Sequence, residues 1–227
     1  MVALLSVYGA PQFSFVLCGD SELQTACLYH VVQWLQTVFV MLLPALLWSK
    51  LRVKDSFAST LFLHKYHHWK LYTLIAVVSI VSLPLLDSLA EICRNLPLPS
   101  SIRTMAEEEA LTQENLLQQM FLIDGLGGWI ELILLMSIAT AVGEELTFRG
   151  ALLACFQRYT KLNKHVVALL VGLIFSIFHF DIYGLIPRWL LGTIFVYLVY
   201  YSGSIWPSVF AHALNNLFAI LQYKGAI

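Results

Sequence analysis

The chain has 227 residues, of which 59% are apolar and only 12% are charged, and its mean hydropathy is +0.76. Soluble domains carry roughly 25% charged residues, so this composition predicts a membrane protein. The net charge of −1 gives no indication of nucleic-acid binding. The four cysteines form no CxxC or metal-binding spacing, and we interpret them as packing residues.

The N-terminal part of the chain predicts two spanning helices joined by a basic loop. Residues 1–18 are mildly apolar but are interrupted by glycine and proline, so we expect at most a short or incomplete span there. Leu28–Trp48 and Leu71–Leu86 are apolar runs near the length of about 20 residues that crosses a bilayer. Between them, Lys50–Lys70 is interpreted as a juxtamembrane loop. Its histidines offer a metal site as the alternative; they are His64, His67 and His68.

The rest of the chain predicts an acidic segment followed by four helices. Glu91–Gly128 is acidic, contains one amphipathic helix and ends in a glycine-rich break. A long helix is then expected over Trp129–Tyr159, and three apolar helices follow over His165–Phe180, Leu185–Tyr201 and Pro207–Tyr223. The prediction is an all-α fold, a polytopic membrane helix bundle of about six transmembrane helices. Residues 1–227 are expected to form one membrane domain.

The basic loops predict the topology. Lys50–Lys70 and Arg158–Lys164 are rich in lysine and arginine, so the positive-inside rule places both in the cytoplasm. Two predicted spans separate these loops, which is consistent with that assignment. The acidic Glu91–Gly128 segment then lies outside. We expect a multi-pass protein of the cell membrane, of the bacterial inner-membrane kind.

Gly143–Gly150 places three ionisable side chains inside the longest apolar run of the chain. A charge at the middle of a membrane helix costs at least ~2.5 kcal/mol, so a sequence that keeps such residues is expected to use them. Glu145 and Arg149 are four residues apart and share a helix face, which predicts an ion pair. Glu144 points about 100° away, lacks that partner and is therefore expected to be available for chemistry.

Three more polar side chains lie in the apolar helices: His179, His212 and Asn216. At 1.5 Å per residue, Glu144 and His179 each lie about 21 Å from the loop that joins their helices. Measured from the turn at Gly203, Asn216 lies at about 18 Å and His212 at about 12 Å. Three separate helices are therefore expected to bring polar groups together near mid-membrane.

Each of these residues also has a purely structural interpretation. An intramembrane histidine such as His179 is often only a packing group, and His212 with Asn216 can be an interhelical hydrogen-bonding pair. Glu145 with Arg149 is more often a structural ion pair than a catalytic one. Two other charged residues lie nearer the helix ends, and we interpret them as structural: Asp87 and Arg188.

Together these side chains predict hydrolysis without a covalent nucleophile. A carboxylate and an imidazole can activate one water molecule, and a second imidazole with an amide can stabilise an oxyanion. No GxSxG motif is present. Zinc bound by Glu144, His179 and His212 is the alternative. There is no HExxH motif, and the estimated depths of Glu144 and His212 differ by about 9 Å, so we predict no metal and no other cofactor.

Three motifs, in this order and on separate apolar helices, resemble those of the CAAX protease and bacteriocin-processing family. They are Glu144-Glu145-x-x-x-Arg149, Phe175-x-x-x-His179 and His212-x-x-x-Asn216. This family includes the type II CAAX prenyl endopeptidases. The acidic Glu107–Leu117 stretch and Pro187-Arg188 also resemble bacterial members. The motifs lie within residues 129–218, which we take as the catalytic core.

The resemblance implies a glutamate-dependent intramembrane endopeptidase, with a peptide or membrane-protein substrate in the lipid bilayer. It implies that Glu144 is the general base on water, with His179 as its partner. It further implies that His212 and Asn216 stabilise the oxyanion, and that the Glu145–Arg149 pair supports the site. The chain is shorter than the eight-span eukaryotic members, which favours a bacterial-type peptide substrate over a prenylated one.

Two other classes of function stay open at the level of the sequence. One is a non-catalytic membrane scaffold or bacteriocin-immunity protein that binds a partner peptide and uses the polar cluster for packing. The other is a proton-coupled transporter, because intramembrane glutamate and histidine also form proton relays. Against transport, the sequence contains no visible inverted repeat of broken helices.

Overall fold

A computed structural model describes residues 21–52, 57–123 and 125–225; within these ranges helices are joined by turns and loops, and no strand is present. The expected short span over residues 1–18 lies outside the described residues. The helices are α1 (the consecutive segments Ser21–Leu35, Gln36–Leu42 and Leu43–Arg52), α2 (Phe57–Thr60), α3 (Trp69–Arg94), α4 (Ser100–Met120), α5 (Gly125–Tyr159), α6 (Lys164–Ile177), α7 (Leu185–Ser202) and α8 (Trp206–Tyr223).

The described helices form a multi-pass membrane bundle, which confirms the predicted fold class. Four of the described segments are long and apolar enough to cross a membrane: Thr25–Leu51 of α1, and helices α3, α5 and α7. About six such helices were expected. Helix α6 has only 14 residues and rises about 21 Å. Helix α8 has 18 residues, but polar side chains along it lower its hydropathy: His212, Asn215 and Asn216.

Besides α1, which runs from Ser21 to Arg52 rather than over Leu28–Trp48, two helices extend well beyond their predicted ends. The first is α3, which was expected to end at Leu86 but continues through Pro84 to Arg94. The second is α5, which begins at Gly125 rather than after the glycines. Gly125 adopts φ +83°, a conformation that favours glycine. At Gly128 a Cβ would lie 2.2 Å from the carbonyl oxygen of Ile123, so only glycine lets the first turn close. The glycines therefore start the helix instead of breaking it.

The boundaries of α6, α7 and α8 follow the local signals in the sequence. The Asn163 side chain caps α6 by accepting from the His165 amide at 2.8 Å. Gly203, at φ +65°, ends α7 in the left-handed conformation. Pro207 lies in the first turn of α8, as predicted.

Small residues bring α6 and α7 into close contact. A Cβ at Gly172 would lie 2.7 Å from the backbone nitrogen of Thr193, and one at Gly192 would lie 3.0 Å from the Cα of Gly172. Glycine is common where membrane helices pack backbone to backbone. The Gly192 carbonyl at this contact is a hydrogen-bond acceptor in the site described below.

The segment after α1 is more than a juxtamembrane loop, because its apolar part packs into the bundle. Leu61 is fully buried in a cluster that includes Ala45, Leu146 and Ile205. The Ile205 amide donates to the Phe62 carbonyl at 2.9 Å. Residues of the predicted basic loop thus hold the turn between α7 and α8 inside the bundle.

Helix α4 is the predicted amphipathic helix of the acidic segment, and its C-terminal end is anchored. Met120 and Phe121 at that end are buried. His30 of α1 lies between two groups. Its Nε2 is 2.9 Å from the Met120 carbonyl oxygen, and its Nδ1 is 2.9 Å from Oε1 of Glu131. These contacts fix α4 beside the polar interior of the bundle.

Candidate active site

The predicted ion pair of Glu145 and Arg149 is present at the centre of the bundle. Nη1 of Arg149 donates to Oε1 of Glu145 at 2.8 Å, and both side chains are fully buried. Nη2 of Arg149 donates to the Gly192 carbonyl at 2.9 Å, and the guanidinium lies 4.2 Å from the Phe175 ring centroid. Arg149 lies on a π-helical stretch, Leu146–Leu152, a distortion that is frequent at functional sites. The contacts of its guanidinium with Phe175 and Gly192 join α5 to α6 and α7.

His212 connects the two glutamates. Its Nδ1 lies 2.8 Å from Oε1 of Glu145, and because a carboxylate only accepts, the ring donates through Nδ1–H. This bond orients the ring so that Nε2 lies 3.6 Å from Oε2 of Glu144. The exposed fraction of the His212 side chain is only 4%. Its orientation is therefore set by Glu145.

His179 faces the same oxygen from the end of α6. Its Nδ1 donates to the Phe175 carbonyl at 2.8 Å, which leaves Nε2 as the acceptor of the neutral ring. Nε2 lies 3.6 Å from Oε2 of Glu144. The glutamate and this histidine thus meet at one level, as the helix-rise estimate predicted.

Three hydrogen-bond acceptors converge at this point: Oε2 of Glu144 and Nε2 of the two histidines. Oε2 of Glu144 is buried and has no hydrogen-bond partner among the residues that the structure describes. Acceptors that face one another need a donor between them, either a proton on one imidazole or a shared water molecule. The arrangement is suited to holding and deprotonating water.

The estimated depth of His212 was wrong. It placed His212 about 9 Å from the level of Glu144, whereas the two side chains lie 3.6 Å apart. The estimate assumed that the turn at Gly203 lies level with the loop after α5. In the structure the chain after that turn enters the bundle, and Ile205 packs in the same apolar cluster as Leu146. Helix α8 therefore starts deeper, and His212 reaches the level of the glutamates.

Asn216 lies beyond the level of Glu144, on the side away from the turn at Gly203. Its Nδ2 donates to the carbonyl of Met136 at 3.2 Å, two turns before Glu144 on α5. The prediction that Asn216 matches the depth of Glu144 better than His212 is therefore wrong. The amide carries a second N–H, and its side chain lines both cavities described next.

Two cavities meet at the side chains of the candidate site. The larger, ≈ 980 Å³, lies between α3, α4, α7 and α8, and the smaller, ≈ 370 Å³, lies between α1, α4, α5 and α8. Both are lined by His179, His212 and Asn216, and the smaller one also by Glu144. Helix α4 borders both. The polar groups are therefore accessible from two directions.

Arg188 also lines both cavities, although its position near a helix end had led us to interpret it as structural. Nη2 of Arg188 donates to Oδ2 of Asp181 at 3.0 Å. One signal in the sequence pointed to it, an arginine one turn inside an apolar helix within the Pro187-Arg188 pair. The helix periodicity alone did not indicate that it faces the site.

The side chains of the site can be compared with the ligands that a bound metal ion requires. Among residues 21–52, 57–123 and 125–225, no group of three or more His, Cys, Asp or Glu side chains is placed to hold a metal ion. The depth difference that argued against zinc no longer applies, because Glu144, His179 and His212 are neighbours. The absence of a metal stays a prediction.

The fold and the site define a class: a polytopic membrane helix bundle with a buried polar centre of two glutamates, two histidines, an arginine and an asparagine. Comparison with known proteins agrees with the resemblance of the motifs. Residues 127–218 match the family "Type II CAAX prenyl endopeptidase Rce1-like", so this segment is similar to that family. The matched residues nearly coincide with the motif-bearing segment 129–218.

Two proteins of Bacillus subtilis (strain 168) are similar to part of the chain. "Uncharacterized protein YyaK" is 37% identical over 94 residues, which cover 38% of this chain and 31% of that protein. "Putative membrane peptidase YdiL" is 30% identical over 91 residues, which cover 40% of this chain and 36% of that protein. The similarity thus spans about a third of the length of each relative. No solved structure matches the chain.

Proposed function

We propose that the protein is an intramembrane endopeptidase that hydrolyses a peptide bond with a water molecule activated by Glu144 and a histidine. One observation supports this most directly: Nε2 of His179 and Nε2 of His212 each lie 3.6 Å from Oε2 of Glu144, at the junction of two cavities. The name of YdiL and the match of residues 127–218 to the Rce1-like family support the same reaction class.

In the first step, Oε2 of Glu144 accepts a proton from the water molecule while the water oxygen attacks the carbonyl carbon of the substrate. His179 is the positioning partner, because its Nδ1–H bond to Phe175 leaves the Nε2 lone pair to accept a hydrogen bond from the second water hydrogen, which stays on the attacking oxygen. General acid–base catalysis of this kind contributes about 10²–10⁴-fold in rate.

The oxyanion formed by this attack needs hydrogen-bond donors. Nε2 of His212 donates only when the ring is protonated, and Nδ1 then continues to donate to the Glu145 carboxylate. Asn216 supplies the second donor through its remaining amide N–H. These two residues would stabilise the tetrahedral intermediate.

In the second step, the proton held on Glu144 moves to the nitrogen of the leaving amine as the carbon–nitrogen bond breaks. Collapse of the intermediate gives a carboxylic acid and an amine, the second water proton then passes from the acid to the amine to leave a carboxylate and an ammonium group, and Glu144 returns to its ionised state. Arg149 does not reach the reacting atoms in this scheme. It holds Glu145 in place and, through Glu145, the ring of His212.

The test is a comparison of membrane peptides by mass spectrometry in cells that produce either the wild type or Glu144→Gln. Glu108→Gln is the matched control, since Glu108 is an exposed residue of α4 that lines neither cavity. We expect a set of cleavage products with the wild type and the control, and the uncleaved precursors with Glu144→Gln. Identical peptide sets in all three would contradict the protease and favour a scaffold or immunity protein.

A further inference from the structure

Arg188 is held in a defined orientation at the start of α7. The Asp181 carboxylate accepts from the Gly184 amide at 2.9 Å through Oδ1 and from Nη2 of Arg188 at 3.0 Å through Oδ2. Asp181 lies two residues after His179. One short turn therefore carries both a histidine of the site and the residue that positions this guanidinium.

Gly184 makes room for this pair. A Cβ at that position would lie 2.2 Å from Oδ2 of Asp181 and 2.8 Å from Nη1 of Arg188, so the guanidinium packs directly against the glycine backbone. Nη1 of Arg188 is enclosed and has no hydrogen-bond acceptor among the described residues. An enclosed charged donor without an acceptor is costly, so the side chain gains free energy when an acceptor arrives.

The acceptor has to come from the cavities. Arg188 lines both of them, and 26% of its side-chain surface is exposed. Among the described residues that line the smaller cavity, Arg188 is the cation, and the carboxylates are Glu109 and Glu144. An anionic group that enters beside Glu144 would meet repulsion from both of these and attraction from Arg188, the arginine of the lining.

We propose that Arg188 forms a subsite for a carboxylate of the peptide substrate. A guanidinium matches a carboxylate in shape and can donate two parallel hydrogen bonds to it. Asp181 occupies one of its five N–H groups and keeps the plane in position. The carboxylate is either the free C-terminus of the peptide or an aspartate or glutamate side chain. The assignment of the ligand as substrate depends on the proposed function.

The experiment measures binding and needs no cleavage, so it is independent of the proposed reaction. The full-length protein is purified in a neutral detergent with the Glu144→Gln substitution, which leaves the probes intact. Three N-terminally fluorescent peptides of leucine, alanine and phenylalanine serve as probes: one with a free C-terminal carboxylate, one amidated, and one amidated with a single internal glutamate. Fluorescence anisotropy gives the affinity of each probe for the protein.

We expect at least one carboxylate-bearing probe to bind about tenfold more tightly than the neutral amidated probe. Tighter binding of the free acid identifies the C-terminus as the source, and tighter binding of the glutamate probe identifies a side chain. Adding Arg188→Gln should remove the preference. Adding Arg103→Gln should keep it, since Arg103 lines only the larger cavity and donates to the Leu96 carbonyl.

Two results would overturn the subsite. One is equal or absent binding of all three probes to the Glu144→Gln protein. The other is a carboxylate preference that survives Arg188→Gln. If the Arg188→Gln protein is poorly folded, Arg188→Lys gives a second measurement. Lysine keeps the charge but not the paired donors, so it should retain only part of the preference.

Discussion

Nδ1 of His212 lies 2.8 Å from Oε1 of Glu145, and this hydrogen bond directs the opposite ring nitrogen toward Glu144. Two consecutive glutamates on α5 therefore have different surroundings. Glu145 is paired with Arg149 and His212, whereas Oε2 of Glu144 faces two imidazole nitrogens without a hydrogen bond to either. This difference is the basis for assigning a structural role to Glu145 and the chemistry to Glu144.

Glu144→Gln is expected to abolish cleavage while the protein still folds and inserts. The amide is nearly isosteric with the carboxylate but cannot accept the water proton, so a loss of about 10²–10⁴-fold or more is expected. The assay uses purified, reconstituted protein and a substrate from the mass-spectrometry comparison, with melting temperature as the control for folding. Unchanged turnover would rule out Glu144 as the base.

Arg149→Ala is expected to cost stability as well as activity. Removing the arginine leaves Glu145 fully buried without its cationic partner, and breaking a buried pair costs on the order of 3–5 kcal/mol. Thermal unfolding in detergent measures the loss. The double variant Glu145→Ala/Arg149→Ala should recover part of the stability but not the activity, since His212 then loses its partner. A wild-type melting temperature for Arg149→Ala would contradict the buried pair.

Gly172→Ala is expected to destabilise the protein, whereas Gly127→Ala is its matched control. A methyl group at Gly172 would lie 2.4 Å from Oγ1 and 2.7 Å from the backbone nitrogen of Thr193, so α6 and α7 must move apart. Gly127 has no atom within 4 Å of the added methyl group. We expect a lower melting temperature for Gly172→Ala only. Equal melting temperatures would show that the interface of α6 and α7 adapts without cost.

The topology can be measured by cysteine labelling. Both basic loops lie at one end of the bundle. Tyr200 donates to the Lys164 carbonyl of one loop, and Ser204 donates to the His64 carbonyl of the other. Because Tyr200 and Ser204 are only four residues apart, the two loops are close together. We expect a membrane-impermeant reagent to label Glu108→Cys but not Lys161→Cys in intact cells, in a background without the native cysteines. Labelling at position 161 and not at 108 would invert the orientation.

The activity is expected to survive dialysis against a strong chelator, and the purified protein should contain well under one zinc per chain. In the proposed reaction Glu144 itself accepts the water proton. Because the side chains of Glu144, His179 and His212 meet, elemental analysis together with the activity assay is the decisive measurement. Near one zinc per chain, with activity lost on its removal and restored on its return, would indicate a metalloprotease.

Features that depend on local spacing were predictable from the sequence. The all-α membrane fold follows from long apolar runs, and the pairing of Glu145 with Arg149 follows from a spacing of four residues on one helix. The common level of Glu144 and His179 follows from helix rise, since one short loop joins their helices. In the last two cases the two residues are joined by continuous helix or by helices with one short loop between them.

The position of α8 was decided only by tertiary structure. Its offset along α5 is set by the packing of Ile205 with Leu146 and by the hydrogen bond from Ile205 to the Phe62 carbonyl. These contacts join residues far apart in the chain, and no periodic pattern encodes them. The same holds for Arg188, whose place in both cavities depends on how α4, α7 and α8 are arranged. Helical periodicity specifies which face a side chain occupies, whereas the axial offset between helices depends on long-range packing.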